Sequence, residues 1–287
     1  ILVDFPGFNL RMARYARRLG LKVFYFIPPK VWAWNQKRVE VLRKYTDRIF
    51  IIFPFEKTFY ENRGISVEYF GNPLVDEVEG FRINSGGSGE WRKSVGPDRR
   101  PVVALLPGSR RREIRALLPA MVRMAADHTD YQFVVAGAPS LEPSFYEPFL
   151  AGSGVGIVFG QTYHLLESAE AGVITSGTAT LETALFDVPQ VVVYRTGPLA
   201  YAIAKRIIKI KFISLVNLVL GHELVREVIQ KDIYGSAGPV LAGILVDERT
   251  AGEIREGYRE LREKLGEKGA SGRIAARMVE LVKGERE

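Results

Sequence analysis

Seven consecutive residues, Ser176-Gly177-Thr178-Ala179-Thr180-Leu181-Glu182, carry the densest chemical signal in the chain. An apolar run, Ala171 to Thr175, ends there and a helix is expected to begin, so small and hydroxylated residues occupy a strand-to-helix switch. The first backbone N–H groups of such a helix are uncovered, and together with the positive end of the helix dipole they favour a phosphate. Glu182, one turn later, is suited to accept hydrogen bonds from neutral hydroxyls such as those of a ribose. An isolated Ser-Gly-Thr more often caps a helix beside a surface carboxylate. A second turn shifts that balance: Pro107-Gly108-Ser109-Arg110 follows the apolar strand Val102 to Leu106. Gly108 lets backbone approach a ligand, Ser109 is suited to cap a helix, and Arg110 can pair with phosphate oxygens in a fork. Two anion-type turns in one α/β domain point to a nucleotide diphosphate.

Displacing a diphosphate from a sugar carbon with an incoming hydroxyl needs charge stabilisation on the leaving group, alignment, and a base for the hydroxyl proton. Arg110 and the helix start at Ser176 supply the first. Asp4 is the candidate base, because it stands at the C-terminal edge of an apolar strand; a turn carboxylate bonded to nearby N–H groups is an equal alternative. No Asp-x-Asp pair occurs, so no divalent metal is expected on the diphosphate, and the residues call for no cofactor. The chain has no cysteine, which excludes disulfides and thiolate chemistry, and its three histidines are scattered.

The elements that must position these residues alternate strand and helix, the pattern of parallel sheets with helices on their faces. Ile1 to Val3 and Leu21 to Ile27 read as strands around a helix in which Asn9 is the expected N-cap. On that helix Phe8, Met12, Tyr15 and Leu19 share one side, while Arg11, Arg14 and Arg18 form a basic outer face. Val31-Trp32-Ala33-Trp34 sits beside Lys30, Lys37 and Arg38, suited to stack on bases, to bury a lipid-like ligand, or to fill the core. Further strands are expected at 48–53, 67–70, 131–136, 155–159 and 190–194, and helices at 37–45, 54–62, 163–169, 224–230, 251–265 and 272–282. The pattern fails between Gly80 and Arg100, where a polar glycine- and serine-rich stretch marks a linker. Leu199 to Lys211 is an amphipathic basic segment, with Lys205, Arg206 and Lys209 beside an isoleucine and leucine stripe; it suits an anionic membrane surface or packing on its own domain.

At 287 residues, two domains are the natural division. No apolar run approaches the roughly 18 residues of a membrane span, so a soluble or peripheral protein is expected. The net charge of +7 favours anionic partners: nucleic acid, an acidic membrane or phosphorylated small molecules.

Taken in order, Asp4-x-Pro6-x-Phe8-Asn9, Val31-Trp32-Ala33-Trp34, Pro54-Phe55-Glu56-Lys57, Leu106-Pro107-Gly108-Ser109-Arg110, Ser176 to Glu182, Ala204-Lys205-Arg206 and Asn217-Leu218 resemble the motifs of lipid-A-disaccharide synthase, nearly end to end. The resemblance implies an inverting, metal-independent glycosyltransferase with two Rossmann-like domains of the B type, the first incomplete at its N-terminus. It would join 2,3-diacylglucosamine from its UDP donor to 2,3-diacylglucosamine 1-phosphate, releasing UDP, at the cytoplasmic face of the inner membrane. It makes Asp4 the general base and places Gly108, Ser109, Arg110, Ser176, Gly177, Thr178, Ala179, Thr180, Glu182 and Asn217 on UDP. Val31, Trp32, Trp34, Lys205, Arg206 and Lys209 would then face acyl chains or the anionic membrane surface. The implied division is 1–84 for the remaining acceptor-side domain, 85–100 for the linker, 101–265 for the UDP-sugar domain and 266–287 for a helix crossing back. Nucleic acid is not an expected partner, and homo-oligomerisation is left open.

Gly7, Asn72 and Val216 depart from the family pattern, which has aspartate, histidine and proline there. The family also carries a glycine-rich N-terminal portion ahead of the Asp4 motif, so the chain is read as starting inside a domain, with its activity in isolation left open. The alternatives are another UDP-sugar enzyme of this architecture, an N-acetylglucosaminyltransferase or epimerase, a non-catalytic UDP-binding fragment, and, on charge alone, a nucleic-acid-binding protein.

Overall fold

A computed structural model describes residues 1–33, 38–85, 91–92, 98–197, 201, 211–230 and 232–284. Trp34, Lys205, Arg206 and Lys209, and nearly all of the amphipathic segment, lie outside the described residues. The chain divides into two compact units, one gathering Ile1–Glu77 and Arg262–Glu287, the other Val78–Ile203 and Lys211–Leu261.

In the first unit, four short strands pair in parallel in chain order: β1 (Leu2–Val3), β2 (Phe24–Phe26), β3 (Arg48–Ile51) and β4 (Glu68–Tyr69). Helices α1 (Pro6–Arg18), α2 (Arg38–Tyr45) and α3 (Pro54–Glu61) connect them. Leu10, Tyr25, Val39, Leu42, Ile49, Ile51 and Tyr60 form one core cluster. Phe24 and Phe50 form another with Ile274 and Met278 of the last helix, α11 (Ala270–Lys283). Alternate residues of β2 and β3 thus enter different clusters, as a pleated strand covered on both faces requires. Asp76, in helix α4 (Pro73–Asn84), accepts from the N–H groups of Gly269, Ala270 (3.3 Å) and Ser271 (3.0 Å) and so caps α11.

Two expectations for α1 are corrected. The helix starts at Pro6, whose missing N–H costs nothing at that position, and Asn9 lies inside the first turn. There its side-chain amide donates to the carbonyls of Val3 (2.9 Å) and Asp4 (2.7 Å). This ties the buried face to Asn9, Leu10 and Ala13, while Phe8, Tyr15 and Leu19 are each more than half exposed alongside the arginines.

The second unit holds six parallel strands in the order β10-β9-β8-β5-β6-β7. They are β5 (Val102–Leu106), β6 (Gln132–Gly137), β7 (Gly156–Phe159), β8 (Ala169–Thr175), β9 (Gln190–Tyr194) and β10 (Glu227–Ile229). The connecting helices are α5 (Arg111–Asp127), α6 (Thr162–Ser168), α7 (Ala179–Leu185), α8 (Leu215–Leu220) and α9 (Ile233–Val246), followed by α10 (Glu248–Leu265). From β5 the chain builds outward through β6 and β7, then returns to add β8, β9 and β10 on the other side. The order reverses between β5 and β8, and the crevice at such a switch point is where open α/β sheets take ligands.

The expected helix at 224–230 is a correction: Glu227–Ile229 is a strand, because parallel pairing with Val192, Val193 and Tyr194 of β9 outweighs local helix propensity. The division between units falls inside α4, at Glu77 and Val78, upstream of the expected linker. The second half of α4 belongs with the second unit because Phe81 packs on Tyr163, His164 and Phe186, and Arg82 donates to the Leu185 carbonyl (2.8 Å).

Candidate functional site

The sheet order places the two turns read from the sequence side by side. A pocket of about 410 Å³ opens at the C-terminal ends of β5 and β8, lined by Gly108, Ser109 and Arg110 on one side and by Ser176, Gly177, Thr178, Ala179 and Glu182 on the other. Gly108 has φ 108°, and a Cβ there would stand 2.7 Å from the Glu113 carboxylate, so the turn admits only glycine. Glu113 also pairs with Arg110, Oε1 to Nη1 at 2.9 Å, while the arginine side chain remains 81% exposed. An arriving anion therefore meets an oriented arginine. Ser109 does not cap α5, whose N-cap is Arg110 without a side-chain cap.

The Ser176 turn differs in detail from its sequence reading. Helix α7 has seven residues, and its N-cap is Thr178. The N–H groups of Thr180, Leu181 and Glu182 already bond to Gly177 and Thr178, and the Ser176 hydroxyl donates to the Ile213 carbonyl at 2.8 Å. So short a helix sums little dipole. The 17-residue α5, beginning at Arg111 behind Gly108 and Arg110, offers the better anion end. Glu182 lies half-buried on the pocket wall and accepts from the Tyr163 hydroxyl (3.0 Å), which turns the carboxylate.

Two residues assigned to UDP do not line the pocket. Thr180 is buried, and its hydroxyl donates to the Gly177 carbonyl (2.8 Å), which shapes the turn from behind. Asn217 is fully buried with both ends of its amide used: Nδ2 donates to Val225 O and Glu227 Oε1, and Oδ1 accepts from the N–H groups of Leu224 and Val225. A saturated amide has no capacity left for a ligand. Sequence reasoning missed Glu113, Thr162, Thr175 and the 136–139 segment, which complete the lining. That segment is the last two residues of β6 and the two that follow it, and the C-terminal edge of an apolar strand next to β5 was the available signal.

In the first unit, Asp4 and Phe5 have φ 44° and 42°, a left-handed pair that side chains resist. The surroundings enforce it: Asp4 N–H donates to Phe26 O (2.9 Å), and Asp4 O accepts from Asn9 and from the Tyr25 hydroxyl (2.8 Å). The carboxylate itself is exposed and has no hydrogen-bond partner among the described residues. Of the two sequence readings, the bonded turn carboxylate does not match this arrangement. Burial pushes the Tyr25 hydroxyl up to about 12, with the Asp4 charge adding to it.

Val31 and Trp32 are corrected as lipid-facing residues. Val31 belongs to the core cluster, and Trp32 is buried with its indole N–H on Glu56 Oε1 at 2.9 Å. Burying an indole requires such an acceptor, and Glu56 supplies it while also accepting from Ile52 N and Phe53 N.

Compared with known proteins, residues 1–270 match the family model described as lipid-A-disaccharide synthetase. The chain belongs to that family. It is 40% identical over 292 residues to the lipid-A-disaccharide synthase of Geobacter sulfurreducens, covering 98% of this chain and 74% of the relative. The synthase of Anaeromyxobacter dehalogenans is 37% identical over 292 residues, covering 99% and 75%. Among solved structures, the chain is similar to UDP-GlcNAc 2-epimerase from Neisseria meningitidis bound to UDP-GlcNAc, with TM-score 0.64, 13% identity and coverage of 94% and 73%. It is also similar to MnaA of S. aureus in a co-structure with UDP, with TM-score 0.66, 12% identity and coverage of 98% and 75%. At that identity the likeness shows the fold, two Rossmann-like α/β domains of the glycosyltransferase B type.

Proposed function

We propose that this member of the lipid-A-disaccharide synthase family is an inverting glycosyltransferase that joins 2,3-diacylglucosamine from its UDP donor to 2,3-diacylglucosamine 1-phosphate, yielding the disaccharide 1-phosphate and UDP. The observation that carries the reading is the pocket at the β5/β8 switch point, where the Gly108–Arg110 turn and Glu182 face one cavity in a chain of this family. The diphosphate is assigned to the start of α5 with Arg110, and the ribose hydroxyls to Glu182. The acceptor hydroxyl attacks the donor sugar carbon as the bond to the diphosphate breaks; the electron pair leaves with UDP, and Asp4 takes the hydroxyl proton. An exposed carboxylate with no hydrogen-bond partner among the described residues supports that role. The net charge of +7 supports work at an anionic membrane surface.

The test offers the protein the acylated donor and acceptor and, separately, UDP-N-acetylglucosamine. Disaccharide and UDP from the acylated pair alone are expected. UDP binding with no product from either would leave the nucleotide site standing and remove the substrate assignment. Asp4→Asn is expected to keep UDP affinity and lose transfer, and an equal loss of both would remove Asp4 as the base.

A further inference from the structure

The Ser176 hydroxyl, which lines the pocket, is committed to the Ile213 carbonyl at 2.8 Å. The N–H groups of Ile213 and of the residue after it are held by one side chain. Glu227 Oε2 accepts the N–H of Ile213, and Oε1 accepts the N–H of Ser214 and the amide of Asn217, each at 2.9 Å. Asn217 closes the loop, donating to Val225 O and accepting from Leu224 and Val225, and Ser214 Oγ accepts from Asn217 N at 3.2 Å. Glu227 is anchored in turn, paired in β10 with Val192 of β9. The connections run from the sheet through one carboxylate to the 213–217 segment, and from Ile213 to the pocket wall.

We propose that Glu227 is a positioning residue for the nucleotide site, setting the Ser176 wall through Ile213 without touching the ligand. A carboxylate is required because three donors converge on two oxygens that can offer nothing but acceptors. Glutamine would present an amide N–H to one of the backbone N–H groups and turn an attraction into a clash. Asn217, which the family resemblance places on UDP, serves here as part of the same clamp. Its effect on UDP is then transmitted through the backbone.

The inference rests on the UDP reading, and its test separates the two. UDP affinity of the full chain is measured by calorimetry for the unaltered protein, Glu227→Gln, Ser176→Ala and the double variant, and backbone hydrogen exchange is followed in the same four proteins. Glu227→Gln is expected to weaken UDP about tenfold, Ser176→Ala severalfold, and the double variant no more than Glu227→Gln alone, since both break one connection. Exchange is expected to accelerate over residues 176–178 in Glu227→Gln, while β6 stays unchanged. UDP affinity within twofold of the unaltered protein, losses that multiply, or unchanged exchange at 176–178 would each overturn the proposal. Absence of UDP binding in the unaltered protein would overturn the nucleotide reading, and the exchange arm would still decide the role of Glu227. If Glu227→Gln does not fold, Glu227→Asp carries the same readouts, because it keeps the charge but withdraws it by one methylene.

Discussion

Glu182 and Glu56 show how differently two carboxylates are used in one chain. Glu182 stands on the pocket wall and is oriented by Tyr163. Its removal is expected to cost UDP about tenfold in affinity, the worth of one or two hydrogen bonds, and to leave bare pyrophosphate nearly unaffected. Parallel titrations of the two ligands against Glu182→Ala check this, and an equal effect on both would take Glu182 off the ribose. Glu56 is 1% exposed, and burial raises its pKa to about 7 against the opposing pull of hydrogen bonds from Trp32, Phe53 and Ile52. Its folded pKa exceeds the ordinary 4.5, so its contribution to stability is fully present below that value and is lost as pH rises through about 7. A shift of this size corresponds to about 3 kcal/mol. Urea unfolding at pH 5 and pH 8 is expected to show that decline in the unaltered protein and a flatter profile in Glu56→Gln, in which position 56 carries no titrating group.

Caps and edges decide matters at the scale of the element. Asp76 caps α11 from another helix, and its carboxyl lies below the usual range: burial pulls it up, but bonds from Ser271, Gly269 and Ala270 outweigh that. A depressed pKa contributes stability above the ordinary carboxylate range that disappears as pH falls through the folded value. Asp76→Ala is expected to cost about 1 kcal/mol near neutral pH, as cap removal does, with the difference from the unaltered protein closing in acid. Helix α9 escaped the sequence reading because Gly235, Gly238, Pro239 and Gly243 interrupt it. It persists because Ile233, Ala237, Leu241 and Ile244 are buried, and tertiary burial outweighs propensity penalties of order 1 to 3 kcal/mol.

For the whole molecule, net charge and surface govern. Among the described residues no helix is long and apolar enough to cross a membrane. With a charge of +7, binding to vesicles rich in anionic phospholipid is expected at low ionic strength. It should fade as salt approaches roughly 1 M, where the screening length shrinks to about 3 Å. Co-sedimentation with anionic and with neutral vesicles checks this, and salt-independent binding to both would point to apolar contact instead.

Much of the alternation of apolar strands with helices was legible in the sequence, because strands such as β5 and β9 bury a continuous apolar run and the turns after them need small residues. Gly108 and Glu182 were legible for the same reason: their chemistry is local, set by a turn and by one helical turn of spacing. Tertiary structure alone decided what depends on partners far along the chain. It turned α1 so that Leu10 rather than Phe8 faces the core, drew Trp32 inward onto Glu56 across 24 residues, made β10 a strand by pairing it with β9, and consumed Asn217 in the clamp around Glu227. A residue's free hydrogen-bonding capacity is what remains after its neighbours in space have taken their share, and those neighbours are not its neighbours in sequence.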